Sequence, residues 1–532
     1  MSEGIGKQHN HMMQGAIILS VAAFITKVLS AVYKVPFQNL TGDEGFYVYQ
    51  QVYPLYGIAV AFALNGFPLF VSKLIAEEKA LEEQQAITKL VSIWLAIGSI
   101  SLFLLFFFGA AWVAEHMGDP ELLPVIRSVS YVYLFVPFLS SIRGYFQGNL
   151  DMIPTGISQV GEQVARIGIL LAVAYLFTVR DWTVYQMGTY AIASSWIAGF
   201  VGSAILLWYT IKKVKWQPSK LSKSQKGQFW KIGKRLVVEG LPLTAMSSMM
   251  VLFQLMDSFT VYNGLVTAGV SDTLAMSLKG IYDRGQPFVQ LGLVVGLGIS
   301  TSALPLLRKY RQEKKSVEWE NTTFSVLNLT VLFSGAASIG LIAVMPWINQ
   351  ALFSDRTGTA VLQVYVISIF VASLISSTHA ILQSDTEKWL PAIALFVGLI
   401  FKATVNERAV EYAGIMGSSY LTILALLLVL VVMNIQMPKT VWLRFIENGR
   451  IIKIIALLLI MGIFTYVCMI GLDGLMPTDS RMSSFLLTIV GTIIGGIIFI
   501  AGLIRFDLLS EQEWRYIPFK KVTDKLRKND QE

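Results

Sequence analysis

Long apolar runs separated by short polar links occupy almost the whole chain between residues 14 and 504. Runs long enough to cross about 30 Å of hydrocarbon as helices fall at 14–36, 48–72, 90–114, 124–142, 155–178, 185–211, 236–261, 284–307, 321–345, 361–383, 389–406, 413–436, 451–472 and 483–504. The pattern predicts an all-α polytopic membrane protein of about fourteen transmembrane helices. Composition agrees: 54% of the 532 residues are hydrophobic, 14% are charged and the mean hydropathy is +0.60, values that exclude a water-soluble globule.

One link differs from the others. The segment 212–235 carries nine Lys and Arg and no acidic residue, and it separates the first twelve runs into two sets of six. The division predicts an N-terminal lobe at 1–211, a basic cytoplasmic linker at 212–235, a C-terminal lobe at 236–436, two additional helices within 437–505 and a basic cytoplasmic tail at 506–532. A faint repeat supports it: Gln147, Pro154 and Arg166 in the first lobe are echoed by Gln383, Pro391 and Lys402 in the second, with 19 residues from Gln to cation in both. Six is even, so both lobes start on the same face and the repeat is parallel.

Basic residues set the orientation, because Lys and Arg are retained on the cytoplasmic side of short loops. With both termini inside, about 30 Lys and Arg fall in cytoplasmic segments and about six in external ones. The pI near 9.2 then reflects topology and attraction to anionic lipids, and no nucleic-acid partner is expected. The first span is as long as a full crossing and no small-residue cleavage site follows it, so it is expected to stay as a helix. Cys468 is the single cysteine, which excludes an intrachain disulfide, and the four histidines are scattered. Neither metal nor other cofactor is expected.

Candidate chemistry lies in charges placed within or beside hydrocarbon, where each costs about 2.5–3.5 kcal/mol even on lenient insertion scales. Lys27 and Lys34 are two helical turns apart and share a face of the first span. Arg143 ends the fourth span, where the positive-inside rule alone would also put a cation. Glu162 and Arg166 are four apart in the fifth and suit either an intrahelical ion pair or substrate contact. Lys402 interrupts the eleventh. Asp257, inside the seventh, is a candidate for proton or sodium coupling or a partner for Lys27. Asp283 and Arg284 precede Pro287, where a bent helix would let both reach inward; simple placement in an external loop is the alternative. The excess of cations points to a site that receives an anion.

Three stretches carry a family resemblance: GAIILSVAAFITKVLSAVYKVPF from Gly15, GFPLFVSKLIAE from Gly66, and RGYFQGNLDMIPTGISQVGEQVARI from Arg143. The chain resembles the polysaccharide-biosynthesis and lipid-II flippase branch of the MOP (multidrug, oligosaccharidyl-lipid, polysaccharide) exporter superfamily, and is similar to stage V sporulation protein B and the lipid-II flippases of bacilli. The resemblance implies two six-helix lobes in a V around a cationic cavity, two further helices that hold a lipid tail, and alternating access. It implies essential cations in the first helix, matched by Lys27 and Lys34, and a Tyr-Asp-Arg group before a proline, matched by Tyr282, Asp283, Arg284 and Pro287. The acidic residue that follows this Arg in the family is replaced by Gly285 and Gln286.

The expected activity is therefore transport, not catalysis: a monomeric flippase of the bacterial cell membrane that moves an undecaprenyl-linked cell-wall or polysaccharide precursor, lipid II or similar, to the outer leaflet. A cation-coupled multidrug exporter of the MATE type, with Asp257 and Glu162 as carriers, is the alternative within transport. An integral-membrane glycosyltransferase or polymerase would need carboxylates gathered in a large external loop, and a scaffold role is the remaining reading.

Overall fold

The computed structural model describes residues 19, 21–215, 223–384, 389–475 and 480–514. The N-terminal residues before this region and the basic tail at 515–532 lie outside the described residues, as does part of the basic linker. Among the described residues the chain is helical throughout. The helices are α1 (residues 21–32), α2 (Lys34–Val60), α3 (Phe67–Ala76), α4 (Leu81–Phe108), α5 (Ala110–His116), α6 (Leu123–Ser130), α7 (Val136–Gly148), α8 (Ile153–Val179), α9 (Val184–Lys213), α10 (Lys223–Arg235) and α11 (Leu241–Ser247). They continue as α12 (Met249–Thr267), α13 (Asp272–Asp283), α14 (Gly285–Gln312), α15 (Ser316–Phe353), α16 (Thr359–Tyr365), α17 (Ile367–Ser384), α18 (Leu390–Asn434), α19 (Lys439–Ile446), α20 (Arg450–Asp473), α21 (Arg481–Arg505) and α22 (Glu511–Trp514).

Among the described residues twelve helical runs are long and apolar enough to cross a membrane, against the fourteen spans expected. The difference arises in two of the runs, Val21–Ala76 and Leu390–Asn434, each of which joins two expected spans. At 56 and 45 residues they are long enough to cross about twice, at 1.5 Å per residue. Each is broken where helical dihedrals fail: at Gly42 (φ 70°) in α2, and at Ala413 and Gly414 (φ 57°) in α18. Left-handed dihedrals are open to glycine at little cost, which explains the residue type at both breaks.

The chain forms two compact units, one of residues 1–287 with 391–421 and one of residues 288–390 with 422–532. In the first, α8 packs along α9, α3 along α7, and α2 against α12 and α13. Pro154 occupies the first turn of α8, where its missing N–H costs no hydrogen bond. Pro391 does the same for α18, so the repeat noticed in the sequence marks two equivalent helix starts, and the cations that follow, Arg166 and Lys402, are both fully buried. Thr183 and Gln186 close a reciprocal cap on α9. In the second unit α15 is central, flanked by α17, α20 and α21, with Trp347, Met469 and Leu487 packed together.

Two short stretches of the first unit, Ala61–Gly66 and Leu236–Gly240, are π-helical. Each is followed by a proline, Pro68 and Pro242, whose ring would clash with the carbonyl four residues back in a continuous α-helix. The wider turn relieves that clash. The first stretch packs closely on α11: a Cβ on Gly66 would lie 1.9 Å from Oγ1 of Thr244, so only glycine fits.

Beside them, Arg235 donates from both Nη atoms to Glu77 (2.8 and 3.0 Å), and Lys73 donates to Glu239 (2.6 Å). The hydrogen bond from Arg235 holds the Glu77 carboxyl below the ordinary value. A carboxylate whose pKa falls on folding contributes stability above its unfolded value and loses it as the pH drops through the folded one. The pair is partly exposed, so its contribution is about 1 kcal/mol or less. Glu77→Gln is expected to lower thermal stability slightly near neutral pH, with the difference from wild type vanishing below the carboxylate range in paired unfolding scans.

Candidate functional site

The first unit gathers all but one of the charged residues singled out in the sequence into its interior. Arg143, in α7, is fully buried and donates to Glu162 (2.7 Å), to Ser158 Oγ (3.1 Å) and to the Ala63 carbonyl (3.2 Å). Glu162 is thus the partner of Arg143 and not of Arg166, its neighbour one helical turn along α8. Asp257 in α12 pairs with Lys402 in α18 at 2.8 Å, not with Lys27. Asp283 and Arg284 are 2% and 1% exposed at the α13–α14 junction, which overturns the loop placement. Asp283 accepts from Lys279, one turn earlier, at 2.7 Å.

Arg284 reaches Asp43 through Nε (3.1 Å) and Nη2 (2.8 Å to each oxygen). The chain break at Gly42 presents this aspartate, and Gln38 donates to the same carboxylate (2.8 Å). Gly280 makes the approach possible, since a Cβ there would meet the Asp43 carbonyl oxygen at 2.3 Å.

Asp43 and Lys279 were missed by sequence reasoning. Lys279 had a legible signal in its four-residue spacing to Asp283. Asp43 had none, because its Gly-Asp-Glu-Gly context reads as a link between spans.

Among the described residues six cations are buried, Lys34, Arg143, Arg166, Lys279, Arg284 and Lys402, and four of them pair one-to-one with Glu162, Asp283, Asp43 and Asp257. Lys34 and Arg166 are the two left over. Arg166 is held by neutral groups: Nη1 donates to the hydroxyls of Tyr33 and Tyr49 (3.2 Å each), Nε and Nη2 to Gln163 (3.3 and 2.9 Å). Its guanidinium lies 4.7 Å from the Tyr33 ring centre and 4.9 Å from that of Tyr56, within range of cation–π attraction.

Tyr49, Tyr53 and Tyr56 recur at helical spacing along α2, so one face of that helix supplies most of the aromatic wall. Lys34, at the start of the same helix, is fully buried with Nζ 4.3 Å from the Tyr53 ring centre and no hydrogen-bond partner among the described residues. Its charge is within electrostatic range of Arg166 and Asp283. Lys27, in α1, is exposed; the shared helical face does not give the two lysines a shared environment.

Lys34 and Arg166 are thus buried cations without carboxylate partners, set among tyrosine rings and hydroxyls. Among the described residues no three His, Cys, Asp or Glu side chains stand close enough to hold a metal.

The model of the polysaccharide biosynthesis protein family matches residues 12–311. The uncharacterized membrane protein YabM of Bacillus subtilis is 33% identical over 532 residues, covering 100% of this chain and 99% of its own. The lipid II flippase MurJ of the same organism is 23% identical, covering 95% of this chain and 97% of its own. Among solved structures, a lipid II flippase MurJ in an inward closed conformation superposes on 92% of this chain and 100% of its own at a TM-score of 0.64 and 15% identity, a likeness of fold. A match to more than half of the chain, joined to a full-length relative, is decisive: the chain belongs to the polysaccharide biosynthesis protein family.

Proposed function

We propose that the protein flips an anionic lipid-linked cell-envelope precursor, an undecaprenyl diphosphate carrying a glycan such as that of lipid II, from the inner to the outer leaflet by alternating access. The observation that carries this reading is the pair of buried cations without carboxylates, Lys34 and Arg166, set in a tyrosine wall. A buried donor left without an acceptor costs roughly 1–3 kcal/mol, and more when charged. Diphosphate oxygens relieve that cost at Lys34 and add charge-assisted bonds at Arg166. The four ion pairs occupy the other buried cations, which leaves Lys34 and Arg166 to face a diphosphate. Arg284 with Asp43 closes the α2 break against α13, and exchange of that pair for substrate contacts is the step that couples binding to opening. Both termini lie in the cytoplasm in this reading, and a single chain carries out transport.

A MATE-type exporter of cationic drugs needs a carboxylate free to take the drug or its coupling ion. Glu162, Asp257 and Asp283 are each covered by a basic side chain, which disfavours that reading.

The test is expression in bacteria depleted of their own lipid II flippase, with measurement of growth and of lipid II accessible at the outer leaflet. Restored growth and accessibility are expected, together with indifference to Lys212→Ala at the exposed end of α9. Absence of flipping despite correct insertion removes lipid II and directs the search to other undecaprenyl-linked glycans; efflux of a cationic dye would overturn the reading.

A further inference from the structure

Along α2, buried acceptors lack donors as well as Lys34 lacking an acceptor. The break at Gly42 divides this helix into two arms. Phe37 packs on Phe46 and Tyr49, with ring centres 6.4 and 4.9 Å apart, and Lys34 lies on Tyr53, so the arms run back along each other. On the first arm Lys34 and Gln38 are one turn apart and share a face. Gln38 donates from Nε2 to Asp43 Oδ1 (2.8 Å). An ionised carboxylate only accepts, so this bond fixes the amide and makes Oε1 the atom left over. That oxygen is buried and has no hydrogen-bond partner among the described residues. On the second arm Gln50 is four residues after Phe46 and three before Tyr53, on the face that both turn to the first arm. Its Oε1 is likewise buried without a donor. Both glutamines are 4% exposed.

We propose that Gln38 and Gln50 read the sugar next to the diphosphate by accepting from its hydroxyl or amide N–H groups, and so select a glycan-bearing lipid diphosphate over one without a sugar. The inference rests on the flippase reading above and concerns the other half of the same ligand. The oxygens of a diphosphate diester only accept, so they suit Lys34, Arg166 and the unpartnered hydroxyl of Tyr56 but offer nothing to an amide oxygen. A sugar supplies the missing donors. One helical turn rises about 5.4 Å, so a phosphate held at Lys34 sets its sugar beside Gln38. A ligand without donors leaves both amide oxygens unpaired, which is how a site built for hydrogen bonding rejects an analogue that lacks the group.

Calorimetric binding to the purified protein in detergent tests this with two short-chain probes of equal charge: farnesyl diphosphate esterified to N-acetylglucosamine, and the same diphosphate esterified to methanol. Wild type is expected to bind the sugar ester at least ten-fold more tightly. Gln38→Leu with Gln50→Leu should bind the methyl ester as wild type does and lose most of that preference, whereas Lys34→Met should weaken both probes by a similar factor. Equal binding of the two probes by wild type overturns the proposal and leaves the flippase reading standing, as does a folded double variant that keeps the preference. Failure of wild type to bind either probe overturns the flippase reading, and the proposal with it. Should the double variant not survive purification, Gln38→Met and Gln50→Met are measured singly. A reduced preference in either supports the sugar contact, and a full preference in both rejects it.

Discussion

Lys34→Met and Arg166→Met are each expected to abolish rescue of a flippase-depleted strain while leaving the protein in the membrane at its normal level. In the proposed mechanism each change removes a charge-assisted contact to the diphosphate, worth about 1.5–3 kcal/mol, or roughly ten- to 150-fold in transport rate. The structural consequence runs the other way. Neither cation is balanced by a carboxylate, so an apolar side chain of similar length relieves a desolvation cost, and the hydroxyls of Tyr33 and Tyr49 remain bonded to each other at 2.9 Å. The expected signature is lost flipping with an unchanged or raised Tm. Normal flipping by either variant at matched membrane levels would remove the anion site from the mechanism.

Glu162→Ala is expected to fail for the opposite reason. It strands the Arg143 guanidinium, wholly buried, with only Ser158 and one backbone carbonyl to accept from it. Breaking a buried pair by removing one partner costs about 3–5 kcal/mol, and here the alternative solvent is lipid. Membrane levels and Tm should fall sharply. Adding Arg143→Met removes the stranded charge and should recover most of both, because replacing a whole buried pair by apolar groups is close to neutral. If the double variant stays as unstable as the single one, the role of Glu162 is not that of a counterion to Arg143. Tm and membrane level together thus separate cations that serve the substrate from those that serve the fold.

The sequence made the helical class and the burial of most of the singled-out cations readable, because apolar length and the cost of charge in hydrocarbon act locally. Partner choice was not local. Glu162 lies one turn from Arg166 on the same helix, yet its carboxylate goes to Arg143, because α7 brings a guanidinium to it while Tyr33 and the tyrosines of α2 claim Arg166. Lys402 and Asp257 are 145 residues apart in the chain, and nothing in either neighbourhood announces the other. Asp43 was invisible because a break at Gly42 turns what reads as a polar link into a buried corner. Lys27 and Lys34 share a helical spacing but not an environment, since Lys34 is enclosed and Lys27 is accessible.

The π-helical stretches at Ala61–Gly66 and Leu236–Gly240 carry a consequence for motion. A π turn holds one residue more than the α-helical path it interrupts, and sliding it along by one position turns each residue it passes by about 100° around the helix axis. The number of backbone hydrogen bonds is conserved in the slide. Segments beside Gly66 and Gly240 can thus re-aim side chains in whole-residue steps, like a wrinkle travelling through a carpet. A bend of the same size at a hinge would open peptide groups to hydrocarbon, where nothing accepts them.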